Sequence, residues 1–254
     1  MKNLLYLMFG AALLSLASCQ KIDNWSAPGS RLYGNIIDSY TTKNLAMDNN
    51  DWQIRLIDRT WEKMNPGFVA QYQTLAVMYD GVYNDNKLFP GTYDMLPYDG
   101  PFWPVDTIKG VVLGSETKQD FTVTPYLQVT DLTTSLVGTG LTLTCTVTAP
   151  LLLKAGVALP NLYEVKPFLS LTTFCGNSNY INIAEYNNLR KSINRTWAAE
   201  LTNLKLPATS TSISYTMGPL PVKSGYTYFV RVGADVNALS RRYNYSPIVK
   251  VVVP

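Results

Sequence analysis

The sequence predicts an all-β protein: two β-sandwich domains in tandem, carried behind a short N-terminal anchoring segment. Three observations carry this expectation. First, apolar residues recur with period two in several short runs; the clearest spans residues 224 to 234, where Tyr228, Val230, Val232 and Ala234 fall on one face. Second, charged residues make up only 15% of the chain and tyrosines number 17, which suits sheets with one wet face. Third, within residues 31–124 no window joins a helical period to helix caps. Setting aside residues 1–18 leaves 236 of the 254 residues (254 − 18), enough for two domains of ordinary size.

The chain opens with Lys2 and an apolar stretch from Leu4 to Leu14. That stretch is too short to span a bilayer core of about 30 Å, and it fits the apolar region of a secretory signal. Ala17 and Ser18 are small and precede Cys19. The set Leu16-Ala17-Ser18-Cys19 resembles the bacterial lipobox, which implies that residues 1–18 are a signal peptide and that Cys19 is acylated. A thiol suits this role because its sulfur carries a lipid as a thioether. The alternative is an ordinary cleaved signal with an incidental cysteine. Gln20, in place of Asp, resembles an outer-membrane address, so the expected location is the outer membrane, facing the cell surface. Residues 19–30 are polar with Pro28 and Gly29, and read as anchor and tether.

The first domain is expected over residues 31–124. Residues 31–38 form a first strand, and Trp52, Ile54 and Leu56 alternate in a second. Residues 58–67 read as a polar loop carrying Trp61. Gln71 to Met78 is a further strand, closed by the turn signal Tyr79-Asp80-Gly81. A turn at Phe89-Pro90-Gly91 then feeds a strand through Tyr93, and Phe121-Thr122-Val123 closes the domain.

The second domain is expected over residues 125–254, because Pro125 ends a strand. Strands are expected at Tyr126–Val129, Leu141–Thr148, Lys166–Phe174 and Ser212–Met217, with a last one at Val249–Val253 after Pro247. Residues 184–204 break the pattern. Leu189, Ile193, Trp197 and Leu201 recur every fourth residue, which allows an amphipathic helix. A strand pair with a polar loop is the alternative, and it is the expectation adopted.

Two sets of residues carry a family resemblance. Leu32-x-Gly34-x-Ile36-x-Asp38, Tyr79-Asp80-Gly81-x-Tyr83 and Leu88-Phe89-Pro90-Gly91-x-Tyr93 resemble the carboxypeptidase-regulatory-like, or transthyretin-like, sandwich. Gly225-x-x-Tyr228 at the head of its strand resembles the tyrosine corner of a fibronectin type III sandwich. Behind a lipobox, and with Gly100-Pro101-Phe102-Trp103-Pro104 between, the whole is similar to a Bacteroidetes surface lipoprotein family of unknown function. Its members are commonly encoded beside SusC-like and SusD-like glycan-uptake proteins. The resemblance implies no catalytic residue and no cofactor.

Composition also excludes chemistry. The chain has no histidine, which removes Ser-His-Asp and Cys-His systems and every histidine metal site. The net charge of +3 and the lack of a basic run leave nucleic-acid binding without a footprint. Cys145 and Cys175 either pair in an oxidising envelope or stay as buried free thiols. A glycosidase would need paired carboxylates. Asp48, Asp51, Asp58, Asp94, Asp99, Asp106, Glu164 and Glu185 are available, but they lie in turns or at strand ends and no spacing pairs them. The run Asp48-Asn49-Asn50-Asp51 offers calcium-type oxygens without the alternation of an EF-hand loop, so it reads as a polar turn, and no metal site is expected.

Aromatic loops are the better lead, since sugars stack an apolar face on a ring and bond their hydroxyls to nearby polar groups. Trp61, Tyr98, Phe102 and Trp103 are the candidate glycan-binding residues; Trp197 and Tyr180 are weaker ones. For Phe102 and Trp103 the competing role is to plug the end of a sandwich or the domain junction. The expected function is therefore a non-catalytic envelope lipoprotein, held in the membrane through Cys19. It would bind a polysaccharide or oligosaccharide, or dock to SusC/SusD-like partners, as an accessory of glycan uptake. A structural spacer or adhesion-type stalk is the alternative.

Overall fold

The computed structural model describes residues 27–49, 53–152, 154 and 156–254. Cys19, its signal segment, and Asn50, Asp51 and Trp52 lie outside the described residues. The chain is all-β in two sandwiches, as the alternating patterns predict.

In the first sandwich, β1 (Ser30–Asp38) is the organising strand. It pairs antiparallel with β4 (Val82–Leu88), and in parallel with β7 (Glu116–Lys118) and β8 (Phe121–Val123). The facing sheet runs β3 (Gln73–Ala76), β2 (Gln53–Asp58), β5 (Gly91–Tyr98), β6 (Ile108–Leu113). Alternate residues point inward, so Leu32 and Ile36 of β1 meet Ile54, Leu56, Tyr93 and Met95 in one core. Asp58 ends β2 and caps helix α1 (Arg59–Met64), accepting the Trp61 N–H at 2.9 Å. The polar loop expected at 58–67 is thus partly a helix. Six residues are too few to show a period, and the cap alone marks it.

The second sandwich packs β13 (Ser212–Pro221), β10 (Gly140–Thr148) and β9 (Gln128–Val137) against a five-stranded sheet. That sheet runs β12 (Lys191–Arg195), β11 (Leu162–Ser170), β14 (Thr227–Val236), with β15 (Tyr243–Tyr245) and β16 (Val249–Val252) sharing the edge of β14. Tyr228, Val230, Val232 and Ala234 are all buried in its core, on the face the alternation assigns them. The Tyr228 hydroxyl accepts the backbone N–H of Lys223 at 3.1 Å and ties β14 to the turn before it.

Residues 184–204 correct the strand-and-loop expectation. Helices α2 (Ala184–Asn187) and α3 (Trp197–Asn203) flank β12. The fourfold repeat is split: Trp197 and Leu201 bury one face of α3, capped by Thr196, while Ile193 belongs to the strand. Cys145 and Cys175 are free and buried in separate clusters, so the disulfide alternative fails. Burial pushes each thiol up to about 12.

The two sandwiches are locked together. Arg231 on β14 is 1% exposed; its guanidinium donates to the Met47 carbonyl at 2.8 Å and stacks on Tyr245 at 3.6 Å. Asp48 accepts from the backbone N–H and, at 2.6 Å, the hydroxyl of Ser178. The expected polar turn at Asp48 is thus part of the junction, with the Asp48 carboxylate committed to the second domain. Gly176 is needed here, because a Cβ would meet Arg231 Nη2 at 2.2 Å. The linker is pinned too: Trp103 N–H donates to Thr124 at 2.8 Å, and Tyr126 N–H to Pro101 at 3.1 Å.

Candidate functional site

A cleft of about 260 Å³ opens where the two sandwiches meet. It is near the small end of ligand sites, which run from about 300 Å³ upward. One wall forms where β5 ends. Tyr98 closes the strand and Asp99 turns the chain with φ at 66°, a conformation Asp tolerates better than bulkier residues. Gly100 then lets Phe102 fold back beneath it, since a Cβ at Gly100 would lie 2.0 Å from the Phe102 ring. Phe102 enters the first core as a result. Tyr98 stays on the rim, with the Arg55 guanidinium 3.3 Å from its ring centroid.

The other wall is the loop between β14 and β15. Its tip, Leu239, is 90% exposed, and Ser240, Arg241 and Arg242 follow. Ser240 donates its hydroxyl to Asp99, and Arg242 Nη2 lies 3.6 Å from Asp99 Oδ2. Asn244, just behind, donates to the Pro101 carbonyl at 2.9 Å. Both walls are therefore held in place by bonds that cross the junction. Tyr126 lines the floor, and burial with the nearby Asp99 carboxylate raises its pKa.

Behind Arg241 lies a buried acidic pair. Arg241 Nε is 3.3 Å from Asp235 Oδ2 and its Nη2 is 3.8 Å from Glu164 Oε1, while its guanidinium lies 3.4 Å over Tyr163. Glu164 also accepts from the Tyr243 hydroxyl and pairs with Arg190 at 3.6 Å. Burial, then repulsion from Glu164, pushes Asp235 up to about 7 against the pull of Arg241. Asp235 is sealed from solvent and Glu164 nearly so. Among the described residues, no three His, Cys, Asp or Glu side chains gather into a metal-holding group.

The four aromatic candidates separate. Tyr98 lines the cleft, half-buried, with the Arg55 guanidinium over its ring. Phe102 touches it but is buried in the first core, so it is a plug and offers no platform. Trp103 packs behind Tyr126, with ring centroids 5.0 Å apart. Trp61 lies at the far end of the first sandwich, on α1, edge-on to Phe68 at 5.9 Å. The weaker candidates are structural: Trp197 is buried and donates to Ser210 at 2.9 Å, and Tyr180 packs on Phe168. Among the carboxylates, Asp58 caps α1 and Asp94 pairs with Arg59 at 2.8 Å. Sequence reasoning missed Tyr126, Ser240, Arg241 and Arg242. The one local signal for the last three was the break in alternation after Val236.

The N-terminal domain of a protein of unknown function, DUF3823, matches residues 30–124, and the DUF3823 C-terminal domain of unknown function matches residues 127–250. The chain belongs to the DUF3823 family. No curated protein matches it. Among solved structures, the DUF3823 chain is similar to a "putative carbohydrate binding protein" from Bacteroides uniformis ATCC 8492, at 21% identity and a TM-score of 0.68, covering 89% of this chain and 100% of that one. It is also similar to DUF3823 family proteins from Bacteroides uniformis ATCC 8492 (20%, TM-score 0.67) and Parabacteroides merdae ATCC 43184 (20%, TM-score 0.61), each covering 89% of this chain and all of the other. At these identities the likeness establishes the fold of the DUF3823 chain.

Proposed function

We propose that this DUF3823 protein is a non-catalytic, lipid-anchored glycan-binding protein of the outer membrane, accessory to a SusC/SusD-type uptake system. The observation that carries the reading is the junction cleft. It combines aromatic surface from Tyr98 and Tyr126 with the polar groups Asp99, Ser240 and Arg242 converging from both domains. An aromatic wall suits the apolar C–H face of a pyranose, and the convergent carboxylate, hydroxyl and guanidinium suit its hydroxyls. A cleft braced across the junction is preorganised, so little ordering cost opposes binding. The lipobox-like Leu16 to Cys19 supports the anchor, and the description of the Bacteroides uniformis relative supports a saccharide ligand.

The test is affinity electrophoresis of the mature protein against a panel of polysaccharides. Retardation by at least one glycan is expected, weakened about tenfold or more in Tyr98→Ala and in Arg242→Ala. Trp61→Ala is expected to match the parent. Retardation by none of the glycans, with no outer-membrane partner on purification, would sink the proposal.

The locked junction favours a second reading, a rigid spacer. Arg231 and Asp48 bury charge to hold the two sandwiches in one geometry, which a stalk needs as much as a binding cleft does. Under that reading the Tyr98 and Arg242 variants leave every interaction unchanged.

A further inference from the structure

The end of the first sandwich opposite the junction has an unusual surface. Register places its parts together. Ser30, where the described chain enters β1, faces Leu88; Gly91 faces Leu113; and Asp58, at the root of α1, faces Tyr93. Thr92 N–H donates to Thr60 Oγ1 at 2.8 Å and brings α1 onto the same end. Six large apolar side chains are exposed there: Trp61, Met64, Phe68, Val69, Phe89 and Val112. Phe68 and Val69 are 68% and 77% exposed, and nothing in the first core needs them. Lys63 and Lys87 are exposed beside them. Aromatic and aliphatic side chains fringed by lysine are the composition of a surface that enters a lipid headgroup layer.

Chain geometry identifies what faces this end. Cys19 and Ser30 are eleven residues apart, a span of at most about 40 Å. A lipid on Cys19 therefore keeps the Ser30 end within about 40 Å of the bilayer, and the junction cleft lies at the opposite end of the first sandwich. This argument rests on the lipid-anchor part of the proposed function. We propose that the apolar end formed by α1, the loop after it and the Phe89 turn is a membrane-docking face. It supplements the acyl anchor and orients the cleft outward. An apolar protein surface buried in the headgroup layer adds area-dependent binding to that of the acyl anchor.

The experiment uses the full mature chain carrying Cys19→Ser, so that no acyl chain contributes. Its partition is measured by co-sedimentation with vesicles of phosphatidylethanolamine and phosphatidylglycerol at 3:1, and with phosphatidylcholine alone. Partition is expected into both, stronger into the anionic vesicles. The surface double variant Phe68→Ser/Val69→Ser, with unchanged circular dichroism, is expected to bind about fivefold more weakly or worse. Brominated lipid is expected to quench part of the tryptophan emission, and that part is expected to vanish in Trp61→Phe. Absence of partition, or partition equal in parent and double variant, overturns the proposal. Retardation of the parent by a polysaccharide through Phe68 and Val69, without vesicle binding, overturns it in favour of a second glycan platform. Metabolic labelling with a palmitate analogue tests the anchor separately: an unlabelled Cys19 removes the lipoprotein reading, and the vesicle result still judges the face.

Discussion

The first sandwich has two ends made from the same kinds of residue, and they finish differently. At the junction end, charged groups are buried: Asp48 reaches across to Ser178 of the second domain, Arg231 of the second domain reaches back to the Met47 carbonyl, and Phe102 folds inward. At the entry end Lys63 is exposed, Arg59 is half-buried against Asp94, and Phe68 and Val69 are left uncovered. The difference teaches that residue type does not decide exposure in this fold. What decides it is whether another element arrives to cover the end. The second domain covers one end; at the other, no described residue does.

The sharpest way to break this contrast is to cut the junction. Arg231 Nη2 lies 4.0 Å from Asp48 Oδ1. Arg231→Ala leaves the buried Asp48 carboxylate without that cation and is expected to lower unfolding free energy by about 3 kcal/mol or more. Asp48→Ala leaves Arg231 its Met47 and Tyr245 contacts and is expected to cost less. Chemical denaturation followed by tryptophan emission would show it as a lowered midpoint, and the glycan retardation is expected to vanish with it. Gly176→Ala acts at the same place by inserting a Cβ against Arg231, with an expected loss of about 1–3 kcal/mol. A variant as stable as the parent would mean that the junction yields.

The next effect is pH-dependent. Asp235 titrates near 7 in the fold, well above an ordinary carboxyl. The folded state then holds the proton more tightly than the unfolded one. The stabilisation from the protonated form is full below about pH 4 and is lost as pH rises to about 7. Asp235→Asn keeps an oxygen for the Glu164 N–H and removes the charge, so its melting temperature relative to the parent is expected to improve from pH 5 to pH 8. A constant offset would place the strain elsewhere. The smallest effect belongs to the entry end. Phe68→Ser/Val69→Ser touches no core, and its stability is expected within about 0.5 kcal/mol of the parent, with glycan retardation unchanged.

Much of the architecture was legible. Period-two runs marked β1, β10 and β14, because a strand half-buried in a sandwich must alternate. The short strands β6 and β7 were not legible, since three to six residues of mixed character carry no period. Helix α3 reads as strand and loop because fibronectin-like domains rarely carry helices, and the repeat that suggests it spans both a helix and a strand. Of the candidate site, Tyr98 was found through its Tyr-Asp-Gly-Pro-Phe-Trp loop, but the arginines opposite were not. They come from a loop more than 130 residues away in sequence, as the separation of 141 between Ser240 and Asp99 illustrates.

By itself, the sequence determined the all-β class, the double sandwich and the chemistry that histidine's absence excludes, because these follow from local periodicity and composition. The tertiary structure alone decided which aromatics line the cleft. Phe102 and Trp103 are neighbours of Tyr98 in one short loop, yet Tyr98 lines the cleft while Phe102 folds into the first core and Trp103 packs against Tyr126, because the turn at Asp99 and Gly100 sends the three rings in different directions. It also decided that Trp61 stands at the far end with Phe68, because strand register, which no single residue encodes, sets which end of a sandwich each loop occupies.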